Sequence, residues 1–196
     1  MRRVVYFAQL TLDGRINRAD GSFWEPFAWG PTEMAWNNDV FRPADTWALG
    51  RRMFEVIVPW WDQVAAGDIP EDAGDLSPAD HEFARLLAGM TKAVFSRSMT
   101  SERADVQVIG DAVAGLRALR DGTGGDIALS CGPELFGELV GAGLVDELVL
   151  VLHPAVITGG QRLFDELGAD LRLRTLEVVP FAAGATAVRY VIESTG

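Results

Sequence analysis

Lysine is almost missing from this sequence. Lys92 is the only one, so arginine supplies nearly all of the 17 positive charges. Cysteine is equally scarce: Cys131 stands alone, which excludes an intrachain disulfide and any cysteine cluster for zinc. No apolar run approaches the roughly 20 residues that span a bilayer. The N-terminal stretch MRRVVYFAQLTLDG is basic and then apolar, but it turns polar after Leu10 and offers no small-residue cleavage site. A cytoplasmic protein is the expectation. Positive charge is in deficit, with 28 acidic residues and a net charge of -11. A surface this acidic argues against nucleic acid and anionic membranes as partners. An anionic ligand must be held by a local group of arginines. The pattern G-x-G-x-x-G does not follow the first apolar run, so the usual dinucleotide fingerprint is missing. The zinc-deaminase signature, H-x-E with P-C-x-x-C, does not occur either, and no metal is expected.

What is present suits one globular domain over residues 1–196, 48% of them hydrophobic. VVYFAQL (4–10) reads as a buried strand, followed by a turn-rich segment from Asp13 to Pro31 and a helix over Thr32 to Phe41. DTWAL (45–49) is a strand, with a helix from about Arg51. Ser77-Pro78-Ala79-Asp80 has the capping-box pattern and starts a helix that stops near Gly89. Strands over 91–96 and 105–110 precede a helix capped by Asp111. DIALS (126–130) is a strand, and CGPELFGELVGAG turns into a helix ending at Gly143. The β-rich run 145–157 is interrupted by Pro154, and two alternating strands close the chain as a hairpin pair. The apolar LVLVLH serves as a central strand or as a seam between subunits. Alternation of strands and helices predicts an α/β fold, a mainly parallel sheet with antiparallel strands at the C-terminus.

In such folds ligands bind at the carboxyl ends of strands. After TWAL comes Gly50-Arg51-Arg52, at a helix start. After KAVF comes Ser96-Arg97-Ser98, and after DIAL comes Ser130-Cys131-Gly132-Pro133-Glu134, opening another helix. Helix N-termini, hydroxyls and guanidinium groups together suit a pyrophosphate and an extra phosphate, as in a dinucleotide with a 2′-phosphate.

Taken in order, YFAQLTLDGRI, LGRRMFE, VFSR, CGPEL followed by LVDEL, and HPAVITGGQRLF resemble the dihydrofolate-reductase-like superfamily. The branch is similar to the C-terminal reductase domain of bifunctional riboflavin-biosynthesis deaminase-reductases, including their 5-amino-6-(5-phosphoribosylamino)uracil reductase. The resemblance implies that superfamily's three-layer fold, NADPH as cofactor and a homodimer. It implies that Gly50, Arg51, Arg52 and Met53 meet the cofactor phosphates, with Met53 where the family has threonine. Ser96 and Arg97 would sit beside the adenosine 2′-phosphate. Cys131, Gly132, Pro133, Glu134 and Leu135 would meet the pyrophosphate, with Cys131 where a glycine is usual. Ala8, Gln9, Ile16 and Asn17 would flank the nicotinamide.

The substrate half is less defined. An acidic residue on the first helix orients the pterin in dihydrofolate reductases, and this helix carries Glu33 and Asp39; Asp39 is the candidate catalytic residue. Only Arg15, Arg18 and Arg42 lie where a sugar phosphate would be covered, which argues against such a substrate. Trp24, Trp36, Trp60 and Trp61 are candidates to line a pocket for a flat heterocycle. The alternative for Trp24, Trp29 and Trp36 is packing of the long loop or of a subunit interface. Cys131 is either a reactive thiol at a helix start or a small buried residue, and His153 either a proton donor or a structural histidine. The reading is an NADPH-dependent reductase acting on a C=N or C=O group. Its rivals are a nucleotide-binding protein without turnover and a deazaflavin-dependent reductase.

Overall fold

The computed structural model describes residues 1–196 apart from 23–26, 28, 72 and 194–196. In chain order its elements are β1 (Val4–Thr11), α1 (Pro31–Phe41), β2 (Ala44–Gly50), α2 (Arg51–Ala66), α3 (Pro78–Ala88), β3 (Thr91–Phe95), β4 (Val106–Ile109), α4 (Ala112–Asp121), β5 (Asp126–Ser130), α5 (Pro133–Gly141), β6 (Glu147–His153), β7 (Arg172–Pro180) and β8 (Thr186–Glu193). The chain divides into two compact units. The first holds Met1–Arg2 and Gly30–Ser130, the second Arg3–Trp29 and Cys131–Gly196.

In the first unit the strands run in the order β4-β3-β2-β5, all parallel. Their centres are mainly apolar, and Trp47, Ala48, Leu49, Ala93, Val94, Ile127 and Leu129 are buried. That is the composition of parallel strands covered on both faces. The register sets Gly50 beside Phe95 and Leu49 beside Ser130, so the carboxyl ends of β2, β3 and β5 are neighbours. Trp47 Nε1 donates to Ser130 Oγ at 3.1 Å, which satisfies both groups inside the core. Phe83 takes Phe41 and Trp61 edge-on, at 5.1 and 4.9 Å between ring centres. The helix starts follow the sequence signals. Ser77 and Asp80 form the reciprocal capping box, and Asp111 accepts from the Ala114 N–H at 2.9 Å.

In the second unit the order is β1-β6-β8-β7, with β1 and β6 parallel and the last two pairings antiparallel. LVLVLH is therefore a central strand: β6 is buried almost throughout, between β1 and β8. α5 packs Phe136 on Tyr6, with ring centres 4.3 Å apart, and the Tyr6 hydroxyl donates to the Cys131 carbonyl at 2.9 Å. The loop after β1 is tied to the segment after β6. Arg15 Nη1 donates to the Gly160 carbonyl at 2.6 Å, and the Asn17 amide exchanges two hydrogen bonds with Gln161. Gly160 lies at φ 83° with the Asn17 carbonyl where a Cβ would stand, so only glycine fits there. The C-terminal strands pair as the expected hairpin, but β7 lacks the half-buried alternation its sequence predicts: it is exposed along nearly its whole length.

Candidate functional site

The arginines lie where the sequence places them, within the first unit. α2 begins directly after β2, with Gly50 as N-cap, no side-chain cap and no acidic residue in its first turn. Its first N–H groups and the positive end of its dipole therefore lack a carboxylate or side-chain cap from the helix's own first turn. Arg51 Nη1 donates to Ser98 Oγ at 3.0 Å, which links the α2 start to the Ser96-Arg97-Ser98 turn after β3. Ser96 Oγ accepts from the Met99 N–H at 3.0 Å and shapes that turn. Arg51 is also paired with Glu55 one helical turn on, Nε to Oε1 at 2.6 Å. Arg52 and Arg97 are exposed and have no ion-pair partner among the described residues. On a chain of net charge -11 these two guanidinium groups therefore stand without a carboxylate partner among the described residues. Met53, the next residue, is half-buried on α2.

In the second unit α5 starts after Gly132, again without a side-chain cap. Pro133 is at its first turn, and Glu134 places a carboxylate there. A Cβ on Gly132 would meet nothing within 4 Å, so the backbone there is open to approach. Leu135 follows on the same helix. Cys131 turns inward: its side chain is buried, and burial pushes its thiol well above the usual range. Burial of this kind accords with the small buried residue of the two alternatives. Ala8 and Gln9 lie at the middle of β1, and Ile16 and Asn17 in the following loop, half-buried. Gln9 shares its face with His153, whose Nε2 lies 2.9 Å from Gln9 Oε1. His153 is buried, and Phe27 and Trp29 pack on its ring at 4.8 and 6.2 Å. Asp13, bonded first by Thr11 and then by Arg15, has its carboxyl held below the ordinary range.

α1 separates its two carboxylates. Asp39 is 75% exposed and bonded to Arg42 at 3.3 Å, a solvated surface pair. Glu33 is 4% exposed, on the buried face with Asn37 and Asn38, and makes no ion pair among the described residues. The side-chain oxygens of Asn37 and Asn38 are likewise buried without a hydrogen-bond partner. α1 thus turns Asp39 to solvent and Glu33 to the interior. Trp61 is buried against Phe83, with Trp60 edge-on to it at 4.6 Å, and Trp36 is half-buried on α1. Trp24 lies outside the described residues.

Solved structures share this architecture. A dihydrofolate reductase from Enterococcus faecalis, solved with NADP(H), superposes with a TM-score of 0.65 over 98% of this chain and 97% of its own, at 18% identity. A diaminohydroxyphosphoribosylaminopyrimidine deaminase/5-amino-6-(5-phosphoribosylamino)uracil reductase from Thermotoga maritima gives 0.67 at 13% identity, with 97% of this chain covering 56% of that one. The class is thus an α/β protein of dihydrofolate-reductase-like fold. Residues 2–187 match the family model of the RibD C-terminal domain, and the chain belongs to that family. Its class of function is accordingly reductase-type. The uncharacterized protein YyaP of Bacillus subtilis (strain 168) is 26% identical over 190 residues, 96% of this chain and 94% of that protein. Among the described residues no helix is long and apolar enough to cross a membrane.

Proposed function

We propose that the chain is an NADPH-dependent reductase that delivers hydride to a C=N or C=O group of a small heterocycle. The observation that carries this reading is the pair of unneutralised arginines, Arg52 and Arg97, beside the uncapped start of α2. On an acidic protein such a cluster is fitted to a phosphate, and in this reading it takes the 2′-phosphate that separates NADPH from NADH. The cofactor supplies the hydride when bound; the chain supplies binding and orientation. Gly50, Arg51, Met53 and Ser96 complete the phosphate positions. Ala8, Gln9, Ile16 and Asn17, with Cys131, Gly132, Pro133, Glu134 and Leu135, enter as the family's remaining cofactor positions. One family model runs through both units, which supports treating them as one functional domain.

On the substrate side, Glu33 is the better candidate than Asp39. A buried carboxylate without a cation seeks N–H donors, as a flat amino-heterocycle presents them. A sugar phosphate is disfavoured, because Arg15 is already engaged by Asp13 and Gly160, and Arg42 by Asp39 and Glu82.

Tryptophan fluorescence titration with NADPH and NADH tests the reading. NADPH is expected to bind much more tightly. Arg52→Ala and Arg97→Ala are each expected to weaken NADPH about ten- to hundredfold, the worth of one charged hydrogen bond, and to leave NADH nearly unchanged. Equal affinity for the two nucleotides, or no effect of either variant, removes the 2′-phosphate site. Failure to bind either nucleotide turns the reading toward a deazaflavin, and tight binding without oxidation toward a protein without turnover.

A further inference from the structure

A buried histidine of β6 and a half-buried glutamine of β1 meet on one face of the second unit's sheet. The two strands run parallel, with Gln9 beside Val151 and Thr11 beside His153. The side chains of these four residues therefore share a face. The opposite face is taken by α5, through Phe136 on Tyr6 and the Tyr6 hydroxyl on the Cys131 carbonyl. On the Gln9 face, Phe27 and Trp29 pack on the His153 ring, and His153 is 1% exposed. Its Nε2 lies 2.9 Å from Gln9 Oε1. An amide oxygen only accepts, so Nε2 carries the proton and donates.

The other end of the glutamine is left to act. Gln9 is half-buried, and its amide nitrogen has no hydrogen-bond partner among the described residues. A glutamine on its own samples many rotamers, and a ligand that uses it must freeze them. Here His153 holds the oxygen, so the N–H pair is aimed in advance, away from the imidazole. It lies in the carboxyl half of β1, toward the end where ligands sit in parallel sheets, on a face that carries aromatic rings. What such a donor holds is an acceptor, above all a carbonyl oxygen. In the reductase reading Gln9 flanks the nicotinamide, and a hydride acceptor must come within about 3–3.5 Å of that ring. The donor is then within reach of the substrate.

We propose that Gln9 is a specificity residue for the substrate: its amide N–H donates to a ring carbonyl oxygen of the flat heterocycle, and His153 is the positioning residue that holds it there. This rests on the reductase reading for the kind of substrate. Its test runs without nucleotide, so the two can fail separately.

Two pyrimidines of one size serve as probes. 5,6-Diaminouracil carries carbonyl oxygens at ring positions 2 and 4, where 2,4,5,6-tetraaminopyrimidine carries amino groups. Isothermal titration of the full chain reads both. The wild type is expected to prefer the uracil about tenfold, the worth of one hydrogen bond between neutral groups. Gln9→Met, of similar length but without donors, should bring the preference to within about twofold. His153→Phe should do the same. His153→Gln, which keeps a donor near the Nε2 position, should restore most of it. In the Gln9→Met background, His153→Phe should change the preference no further. A histidine that only packs would weaken both probes alike and leave their ratio untouched. Gln9→Met decides the case even where His153→Phe fails to fold, because Gln9 is half-buried. No binding of either probe, no preference in the wild type, or a preference unmoved by Gln9→Met or by a folded His153→Phe overturns the proposal. So does a Gln9→Met that weakens NADPH and leaves the probe ratio unchanged, since the donor would then serve the nicotinamide carboxamide.

Discussion

Lys92 is the chain's only lysine and is 1% exposed, on β3. Its Nζ reaches Asp105 at 3.0 Å, Arg103 Nη2 reaches the same carboxylate at 2.8 Å, and Arg103 Nη1 bonds Asp62 at 2.5 Å. Arg103 first, and Lys92 second, hold the Asp105 carboxyl well below the usual range. Removing the anion strands a buried cation, whereas replacing the cation by a similar apolar chain does not. Asp105→Ala is therefore expected to cost about 2 kcal/mol, less than the loss of a fully buried partner because Asp105 is 36% exposed. Lys92→Met should change stability by less than about 1 kcal/mol. The folded-state value is depressed, so this stabilisation is present above the unfolded-state pKa of about 3.9 and is lost as pH falls below it. Urea unfolding between neutral pH and about pH 3 should show the wild type losing stability that Asp105→Asn does not have to lose. None of this was legible in the sequence, where Lys92 and Asp105 are separated by a turn. The choice between Glu33 and Asp39 was also hidden. Met34, Trp36, Val40 and Phe41 scatter apolar residues around α1, so no face declares itself.

Elements were more legible than residues, because their signals are local. The Ser77 capping box, the Asp111 cap, the starts of α2 and α5 after glycine and the break at Pro154 all stand in the structure. So do the mainly apolar centres of the parallel strands, which both faces bury, with Thr46, Lys92 and Ser130 as buried polar exceptions. β7 was misread, because alternation predicts one buried face and cannot show that both are exposed among the described residues. Helix packing escaped the sequence too. Gly137 of α5 reads as a weak helix residue, yet a Cβ there would stand 2.4 Å from the Glu166 carbonyl oxygen. That neighbour is backbone and cannot step aside. Gly137→Ala is expected to cost about 1–3 kcal/mol, against the general helical preference for alanine. Gly141, at the end of the same helix, would meet nothing within 4 Å. Gly141→Ala should be neutral or stabilising by up to about 1 kcal/mol. Thermal unfolding of the two variants separates contact from propensity; equal shifts would refute the close approach.

At the scale of the molecule, charge sets two opposing fields on an anionic ligand. A net charge of -11 repels it at long range, while in the proposed reading Arg52 at the start of α2 and Arg97 in the turn after β3 attract it locally. Salt screens both, but which field dominates depends on the arginines. With them present, short-range attraction outweighs the diffuse repulsion, so NADPH affinity should fall as salt rises. In the Arg52→Ala, Arg97→Ala double variant the long-range repulsion outweighs what attraction is left, so the residual affinity should rise with salt. NADH, lacking the extra phosphate, should show the weaker salt dependence of the two nucleotides on the wild type. Dissociation constants measured at low and moderate salt for both proteins give the sign directly. A wild type and a double variant that respond alike would mean the arginines do not hold the phosphate. Reversal of the slope would place it on the α2 cluster, because uniform surface charge is almost the same in both proteins and cannot change sign between them.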